Sequence, residues 1–203
     1  SVGSYLKGLL PTLSIAAVVG FGKAIFDAAE KAAISNGRLL FALKGNVVQL
    51  QSLSALNKTF RETAGISGGE LRQIETMAAA ANMSTKQIRE ITKAAVEFSS
   101  ITGNDLQSSY STLVKTLGGV GRGIKILGPE FAALTAEELK NGDAITLINE
   151  KFAGFASKSA TESQKLSAAW KSLMVTLGES ERGPINATIS KIKDLVNWLG
   201  KSY

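Results

Sequence analysis

Two classes of catalytic group are missing from this sequence. Its 203 residues include no His and no Cys. A Ser-His-Asp triad, a cysteine nucleophile, an imidazole base and a thiolate zinc site are therefore excluded within these residues. The patterns that could still carry chemistry are paired carboxylates and a glycine-rich stretch.

The paired carboxylates do not have the spacing of a catalytic pair. They occur at Glu137-Glu138 and at Glu179 and Glu181. Adjacent residues on a helix do not face each other. Glu138 also follows Thr135 by three residues, which gives it a role in capping a helix. Nothing in these spacings indicates the desolvated acid that glycoside hydrolysis requires.

The glycine-rich stretch over residues 118–123 does not match a nucleotide-binding motif. A G-x-G-x-x-G motif from Gly119 would need glycine at position 124, which is Ile124. The Lys-Ser/Thr pair of a P-loop is absent, and the preceding pattern is helical. We interpret the stretch as a flexible connection with Gly118 as a helix C-cap. We therefore predict no enzyme activity, no cofactor and no metal site.

The composition favours helices. Hydrophobic residues make up 44% of the sequence but aromatic residues only 6%, so the apolar content is aliphatic and rich in alanine. We predict an all-α chain of three segments. Residues 1–63 would form an apolar N-terminal helix and a long amphipathic helix, residues 64–180 a bundle of short capped helices, and residues 181–203 a C-terminal seam helix that continues in the full chain.

The net charge of +6 is unevenly distributed. Five basic residues and no acidic ones occur from Lys31 to Arg61. Such an excess is typical of a surface that meets nucleic acid, an acidic partner or anionic lipid. The charges are dispersed rather than clustered, which favours an ordinary solvated helix face.

An uncharged run of fifteen residues covers 8–22 and continues, across Lys23, to residue 26. A full membrane span needs about 20 apolar residues. Three interpretations stay open: a buried helix of a larger assembly, a segment that enters a membrane after a conformational change, and a cleaved targeting segment. The helix that starts near Pro11 is predicted to stop at Asn36-Gly37. The candidate membrane-inserting residues are Leu9, Leu10, Ile15, Val18, Val19, Phe21, Ile25 and Phe26.

Two apolar stripes recur at a spacing close to 3.5 residues, which is typical of a coiled-coil seam. The first lies in a single predicted helix over residues 39–60, and the second in a helix that Pro184 opens. We predict that both seams mediate self-association. The first consists of Leu43, Val47, Leu50, Leu53, Leu56 and Phe60, and the second of Ile185, Ile189, Ile192, Val196 and Leu199.

Helix-start signals recur after residue 64. A Ser or Thr stands three residues before a Glu or Gln in the pattern of a capping box, and an apolar periodic run follows. Residues 67–78 and 84–95 also resemble each other at a spacing of 17 residues, which predicts a hairpin of two similar helices. The capping pairs are Ser67/Glu70, Ser84/Gln87, Thr135/Glu138 and Thr161/Gln164, with a weaker version at Asn104/Gln107.

The order of these elements resembles the helical region of tail tape measure proteins of long-tailed bacteriophages and prophages. The similar part covers roughly residues 8–200. Its motifs follow one another in the family's order: Gly-Asn-Asp-Leu at 103–106, the glycine-rich joint, LGPEFAALTAEE at 127–138, Asn-Gly-Asp at 141–143, FAGFA at 152–156, LSAAWKSLMVTLGE at 166–179 and a Pro-initiated helix at 184–192.

The resemblance implies a structural virion component that sets tail length during assembly and is expelled with DNA delivery. It would lie in the tail lumen in several copies, and in the host cytoplasm during assembly. Its partners would be copies of itself, tail tube and tail tip proteins, and tail assembly chaperones. The host membrane would be a further partner at delivery, and contact with DNA is left open.

One further expectation comes from this resemblance, and an alternative class comes from the apolar segment and the basic excess in residues 1–63. Tape measure proteins are normally several times longer, so we expect this sequence, which begins Ser-Val-Gly, to be an excerpt of a longer chain. The alternative class is a membrane-active helical protein, either pore-forming or membrane-inserting, through the apolar segment at residues 8–26.

Overall fold

A computed structural model describes residues 15–161, 164–165, 167–169 and 175. This part of the chain consists of helices and their connections, without a strand, so the predicted all-α class is confirmed. The helices are α1 Ile15–Ala42, α2 Val47–Ala64, α3 Gly68–Ala80, α4 Thr85–Thr102, α5 Leu106–Leu117, a 3-10 helix Gly121–Leu127, α6 Pro129–Ala132, α7 Ala136–Asn141, α8 Asp143–Lys151 and α9 Phe155–Ser159.

The chain divides into two compact units. One comprises residues 1–33 and 170–203, of which the structure describes helix residues 15–33 and residue 175. The other comprises Ile34–Ala169 and begins inside α1. The buried core and the helix caps described below belong to this second unit. The division of the sequence at residues 63 and 180 stays a prediction.

The predicted end of the first helix at Asn36-Gly37 is wrong, because α1 continues to Ala42. A contact from another helix holds this part of α1 in place: Asn36 Oδ1 accepts a hydrogen bond from Arg72 Nε at 2.8 Å. Tertiary packing thus overrides the weak helix preference of the Asn-Gly pair.

The predicted single helix over residues 39–60 is also wrong, because a turn separates α1 from α2. Lys44 and Gly45 have positive φ angles of 55° and 80° in this turn, a conformation that glycine adopts at little cost. Asn46 then caps α2, since its Oδ1 accepts a hydrogen bond from the backbone N–H of Gln49 at 3.0 Å.

The four predicted capping boxes are confirmed. In each box the hydroxyl accepts a hydrogen bond from the backbone N–H three residues later, and the side chain of that later residue accepts one from the backbone N–H of the cap. These reciprocal bonds start α3, α4 and α7 and recur at the last pair. The four pairs are Ser67/Glu70, Ser84/Gln87, Thr135/Glu138 and Thr161/Gln164.

The weaker box predicted at Asn104 is wrong. Asp105 caps α5 instead, by accepting a hydrogen bond from the backbone N–H of Ser108 at 2.8 Å. Asn104 belongs to the turn after α4, where its carbonyl oxygen accepts a hydrogen bond from Ser99 Oγ at 2.7 Å. The helix therefore starts one residue later than the pattern predicts.

Helix α4 is the centre of this unit, because it packs against α2, α3, α5, α8 and α9. Between Ile91 and Phe98, side chains on nearly every face of this helix are buried, whereas an amphipathic surface helix buries only one face. Ala94 and Ala95 are fully buried, which lets neighbouring helices approach closely. The largest fully buried apolar side chains are Phe98, Phe131, Leu39, Leu53, Leu71, Ile74, Ile88, Ile91, Leu113, Ile124 and Ile148.

The glycine-rich stretch is a packed 3-10 helix and not a flexible connection. Ile124 is fully buried there. A β-carbon on Gly121 would lie 2.8 Å from Leu139 Cδ1, and one on Gly123 would overlap Thr112 Cγ2. These two glycines therefore permit close packing of the 3-10 helix against α5 and α7. Gly118 does form the C-cap of α5, as predicted.

Candidate functional site

The first predicted seam lies largely within the chain's own fold. Leu43 and Leu53 are buried in the core, and Leu50 and Phe60 pack against it. Leu56 is partly buried, and Val47 is 53% exposed. Self-association through this seam stays a prediction, and the same chain already covers most of its apolar surface.

The other predicted residues lie partly or wholly outside the described part of the chain. Outside it are Ile185, Ile189, Ile192, Val196 and Leu199 of the second seam, together with Leu9 and Leu10. The remaining candidate membrane-inserting residues, Ile15, Val18, Val19, Phe21, Ile25 and Phe26, are in α1. Among the helices that the structure describes, none has the length and apolar character needed to cross a bilayer.

A cluster of buried and partly buried polar side chains lies where α1, α2 and α3 meet, and we call it the Arg72 cluster. It consists of Asn36, Ser54, Asn57, Arg72 and Glu75. Arg72 donates from Nε to Asn36 Oδ1 at 2.8 Å and from Nη2 to Ser54 Oγ at 2.8 Å. Its Nη1 lies 3.1 Å from Glu75 Oε2, which also accepts a hydrogen bond from Asn57 Nδ2 at 2.9 Å. One guanidinium therefore joins three helices.

Glu75 is the acid of this cluster, and its pKa is strongly raised. Its side chain is fully buried. Burial disfavours the charged carboxylate more than the Asn57 hydrogen bond and the Arg72 charge favour it, so the pKa of Glu75 rises from 4.5 to about 7. Its Oε1 and the Oδ1 of Asn57 are buried without a hydrogen-bond partner among the described residues. An acid enclosed in this way is not accessible to a substrate, so we assign it a structural role.

The 17-residue repeat places a second arginine against α2. Arg89, the counterpart of Arg72, donates from Nη1 to Ser52 O at 3.1 Å and to Ser52 Oγ at 3.0 Å. The predicted hairpin is confirmed, because α3 and α4 are consecutive, pack together and each begin with a capping box. The repeat thus provides two arginine contacts to neighbouring serines of one helix.

A second buried acid, Glu97 of α4, holds the start of α9. Its Oε1 accepts a hydrogen bond from the backbone N–H of Gly154, and its Oε2 accepts one from that of Ala156, both at 2.8 Å. Glu97 thereby satisfies backbone donors that have no partner within α9 itself. A negative charge at this end of a helix is also electrostatically favourable.

An open pocket of about 350 Å³ lies beside the α2–α3 junction, the end of α4 and α9. Its two acids are already engaged at helix starts. The backbone N–H of Ser67 donates to Glu70 at 3.3 Å, and hydrogen bonds from Ser108 hold the pKa of Asp105 below its ordinary value. The described part of the chain has no group of three or more acids placed to hold a metal ion. We assign no chemistry to this pocket.

Several large apolar side chains that flank the turn between α1 and α2 are exposed. Phe41 is 88% exposed and Val48 is 75% exposed, although both are near the buried residues Leu39 and Leu43 in the sequence. An exposed cluster of large apolar side chains often has a binding role. This turn is therefore the candidate binding surface of the unit.

Sequence reasoning missed the Arg72 cluster and the Glu97 contact, although a signal was present. Glu75 occupies the apolar stripe of α3, four residues after Leu71 and next to Ile74. Asn57 similarly follows the core residue Leu53 by four residues in α2. A polar residue at such a stripe position indicates a buried partner on a neighbouring helix. Which partner it is depends on the tertiary fold.

No protein-family model, no curated protein and no solved structure matches this chain.

Proposed function

We propose that this chain is a segment of a phage tail tape measure protein. In this role it sets tail length during assembly and is expelled with DNA delivery. The observation that carries the proposal is the correspondence between the motifs of the sequence resemblance and the boundaries of the helices. The motifs from 103 to 156 each fall at a helix start, a helix end or a joint, whereas most of 166–179 and all of 184–192 lie outside the described residues.

The correspondence can be followed along the chain. Gly-Asn-Asp-Leu at 103–106 ends α4 and starts α5, and the glycine-rich joint forms the 3-10 helix. The run 127–138 contains α6 and the capping box of α7. Asn-Gly-Asp at 141–143 joins α7 to α8, and FAGFA at 152–156 joins α8 to α9.

The roles of the buried and capping acids support a structural protein. Glu75 and Glu97 connect helices within the core, and Glu138 completes a capping box. Hydrogen bonds from Thr135 hold the pKa of Glu138 below its ordinary value, as expected for a carboxylate engaged at a helix start. None of these three acids is oriented towards the open pocket beside α9.

The proposal assigns partners and a location. The compact unit would be a folded body on a longer helical chain in the lumen of the virion tail. Copies of the chain would associate through the C-terminal seam at 185–199. Tail tube and tail tip proteins would surround it, and assembly chaperones would bind it in the host cytoplasm.

Tail length is the quantity that tests this proposal. In the phage or prophage that encodes the chain, four additional in-frame copies of the fourteen-residue block 185–198 would preserve the seam. At about 1.5 Å per helical residue, they should lengthen the tail by about 84 Å. Electron micrographs of purified particles measure the length, and mass spectrometry of the same particles detects the chain. A synonymously recoded gene is the control.

Two results would overturn the proposal. The first is purified tails that contain no peptide of this chain. The second is tails that contain the lengthened chain at unchanged length.

A further inference from the structure

The exposed apolar residues at the α1–α2 turn form one surface with exposed basic residues. We call this surface the tip and define it as Ile34, Arg38, Phe41, Lys44, Val47 and Val48. Residues 34, 38 and 41 follow one another at steps of four and three, so they share one face of α1. This face is opposite the one that buries Leu39 and Leu43. Val47 and Val48 begin α2 directly after the turn.

The tip has a fixed conformation. The turn is closed by backbone hydrogen bonds from Gly45 N–H to Leu40 O at 2.9 Å and from Asn46 N–H to Leu43 O at 3.1 Å. Leu39 and Leu43 anchor the end of α1 in the core. The exposure of Phe41 is therefore a stable property of the fold, and no rearrangement is needed to present this side chain to a ligand.

The charge of the tip has one sign. Arg38 and Lys44 are both exposed, and the sequence from residue 31 to residue 61 contains no acidic residue. The tip thus combines four exposed apolar side chains with two exposed basic ones. Two copies of it would face each other with like charges, which disfavours a symmetric contact between two chains.

The apolar area also limits the choice of partner. The exposed parts of Ile34, Phe41, Val47 and Val48 amount to on the order of 400 Å². A standard protein interface buries about 800 Å² on each partner. Insertion into the headgroup region of a bilayer requires only a few apolar side chains, supported by basic residues that attract anionic lipids.

We propose that the tip is a peripheral docking site for an anionic lipid surface. Phe41 and Val48 enter the boundary between headgroups and acyl chains, while Arg38 and Lys44 contact lipid phosphates. The site differs from the apolar segment at residues 8–26, and it does not depend on the proposed role in the phage tail.

Binding of the full chain to vesicles tests this site. The vesicles consist of phosphatidylcholine alone or with one third phosphatidylglycerol, and co-sedimentation gives the partition coefficient. We expect Phe41→Ser combined with Val48→Ser to lower partitioning into the anionic vesicles about tenfold or more. Both residues are exposed, so the fold is retained. The matched control is Ile126→Ser, at 76% exposure on the 3-10 helix, with an expected change of less than about twofold.

The charge variants provide a second readout. Arg38→Gln and Lys44→Gln should each weaken binding to anionic vesicles about fivefold and leave binding to neutral vesicles unchanged. The corresponding controls are Lys86→Gln and Lys140→Gln, which are exposed elsewhere on the unit. Equal losses in the tip variants and these controls would mean a diffuse charge effect and would overturn the site.

Three further outcomes would overturn the proposal. In the first, the tip variants bind vesicles as the unaltered chain does, and only the double variant Val18→Asp, Val19→Asp loses binding. This result would assign lipid binding to the apolar segment. The tip variants could convert a dimer to a monomer in sedimentation without changing vesicle binding, which would make a second copy the occupant. Vesicle binding could also be absent in the unaltered chain.

Discussion

The raised pKa of Glu75 predicts that replacing this acid stabilises the protein. A group whose pKa is higher in the folded state contributes stability that is fully present below its unfolded pKa and is lost as pH rises through the folded pKa. For Glu75 these values are 4.5 and about 7. At about 1.4 kcal/mol for each pKa unit, the folded state should lose about 3 kcal/mol through Glu75 between these two pH values.

Glu75→Gln should remove this loss. The Gln side chain keeps an oxygen that can accept from Asn57 and Arg72. Its amide nitrogen can donate to Asn57 Oδ1, which has no partner among the described residues. We expect the variant to match the unaltered chain near pH 5 and to exceed its free energy of unfolding by about 3 kcal/mol at pH 8. At pH 8 the variant lacks a buried charge whose desolvation outweighs its attraction to Arg72, and Arg72 keeps its hydrogen bonds to Asn36 and Ser54.

Urea denaturation at pH values from 5 to 8.5 measures this difference. The interval is favourable because the sequence contains no His, whose titration would otherwise dominate it. The matched control is Glu62→Gln, an exposed acid in α2 that faces Lys58 at 4.0 Å and should leave the profile parallel to that of the unaltered chain. Parallel profiles for Glu75→Gln, or a less stable variant at pH 8, would refute the argument.

Four further predictions concern packing and backbone contacts. Glu97→Ala should lower the free energy of unfolding by about 3 kcal/mol, since two backbone donors lose a charged acceptor. Hydrogen exchange at Gly154 and Ala156 should accelerate more than exchange in α3. Equal acceleration in both places would contradict a local role for Glu97. Gly123→Ala should destabilise by about 1–3 kcal/mol in thermal unfolding through overlap with Thr112, whereas Gly69→Ala, which meets nothing within 4 Å, should not destabilise. Gly37→Ala should stabilise by about 1 kcal/mol in urea, because Gly37 lies inside α1 in open space, and a loss of stability would mean that α1 is not helical there. Phe98→Ala should cost about 3–5 kcal/mol in urea denaturation, since Phe98 is fully buried in the central helix, and a cost below about 1 kcal/mol would contradict that placement.

Local signals in the sequence were sufficient to predict the helix starts. A capping box requires only four residues, and Ser67, Ser84 and Thr135 all start helices where the pattern predicts. An apolar periodic run follows each of the first two caps, and Leu71, Ile74, Ile88 and Ile91 of these runs are buried. These features depend on neighbours in the sequence, so they can be derived without knowledge of the tertiary fold.

The errors arose where distant residues decide the local structure. Asn36-Gly37 remains helical because Arg72, in another helix, holds Asn36. The apolar spacing over residues 39–60 continues across a turn, because the residues on both sides face the same core. Periodicity alone cannot distinguish one helix from two that bury the same face. The glycines of the 3-10 helix were similarly explained only by close approach to Thr112 and Leu139.

The Arg72 cluster and the tip are connected through the rotation of α1. Asn36 accepts its hydrogen bond on the side of α1 that faces α2 and α3. Ile34, Arg38 and Phe41 lie on the other side of the same helix turn, so fixing Asn36 inward fixes these residues outward. Burial of Leu39 and Leu43 turns the same side of α1 inward, so the cluster and the apolar core specify one orientation of this helix. The cluster thus contributes to the orientation of the surface that we propose for lipid binding, while the charged form of Glu75 carries a desolvation cost.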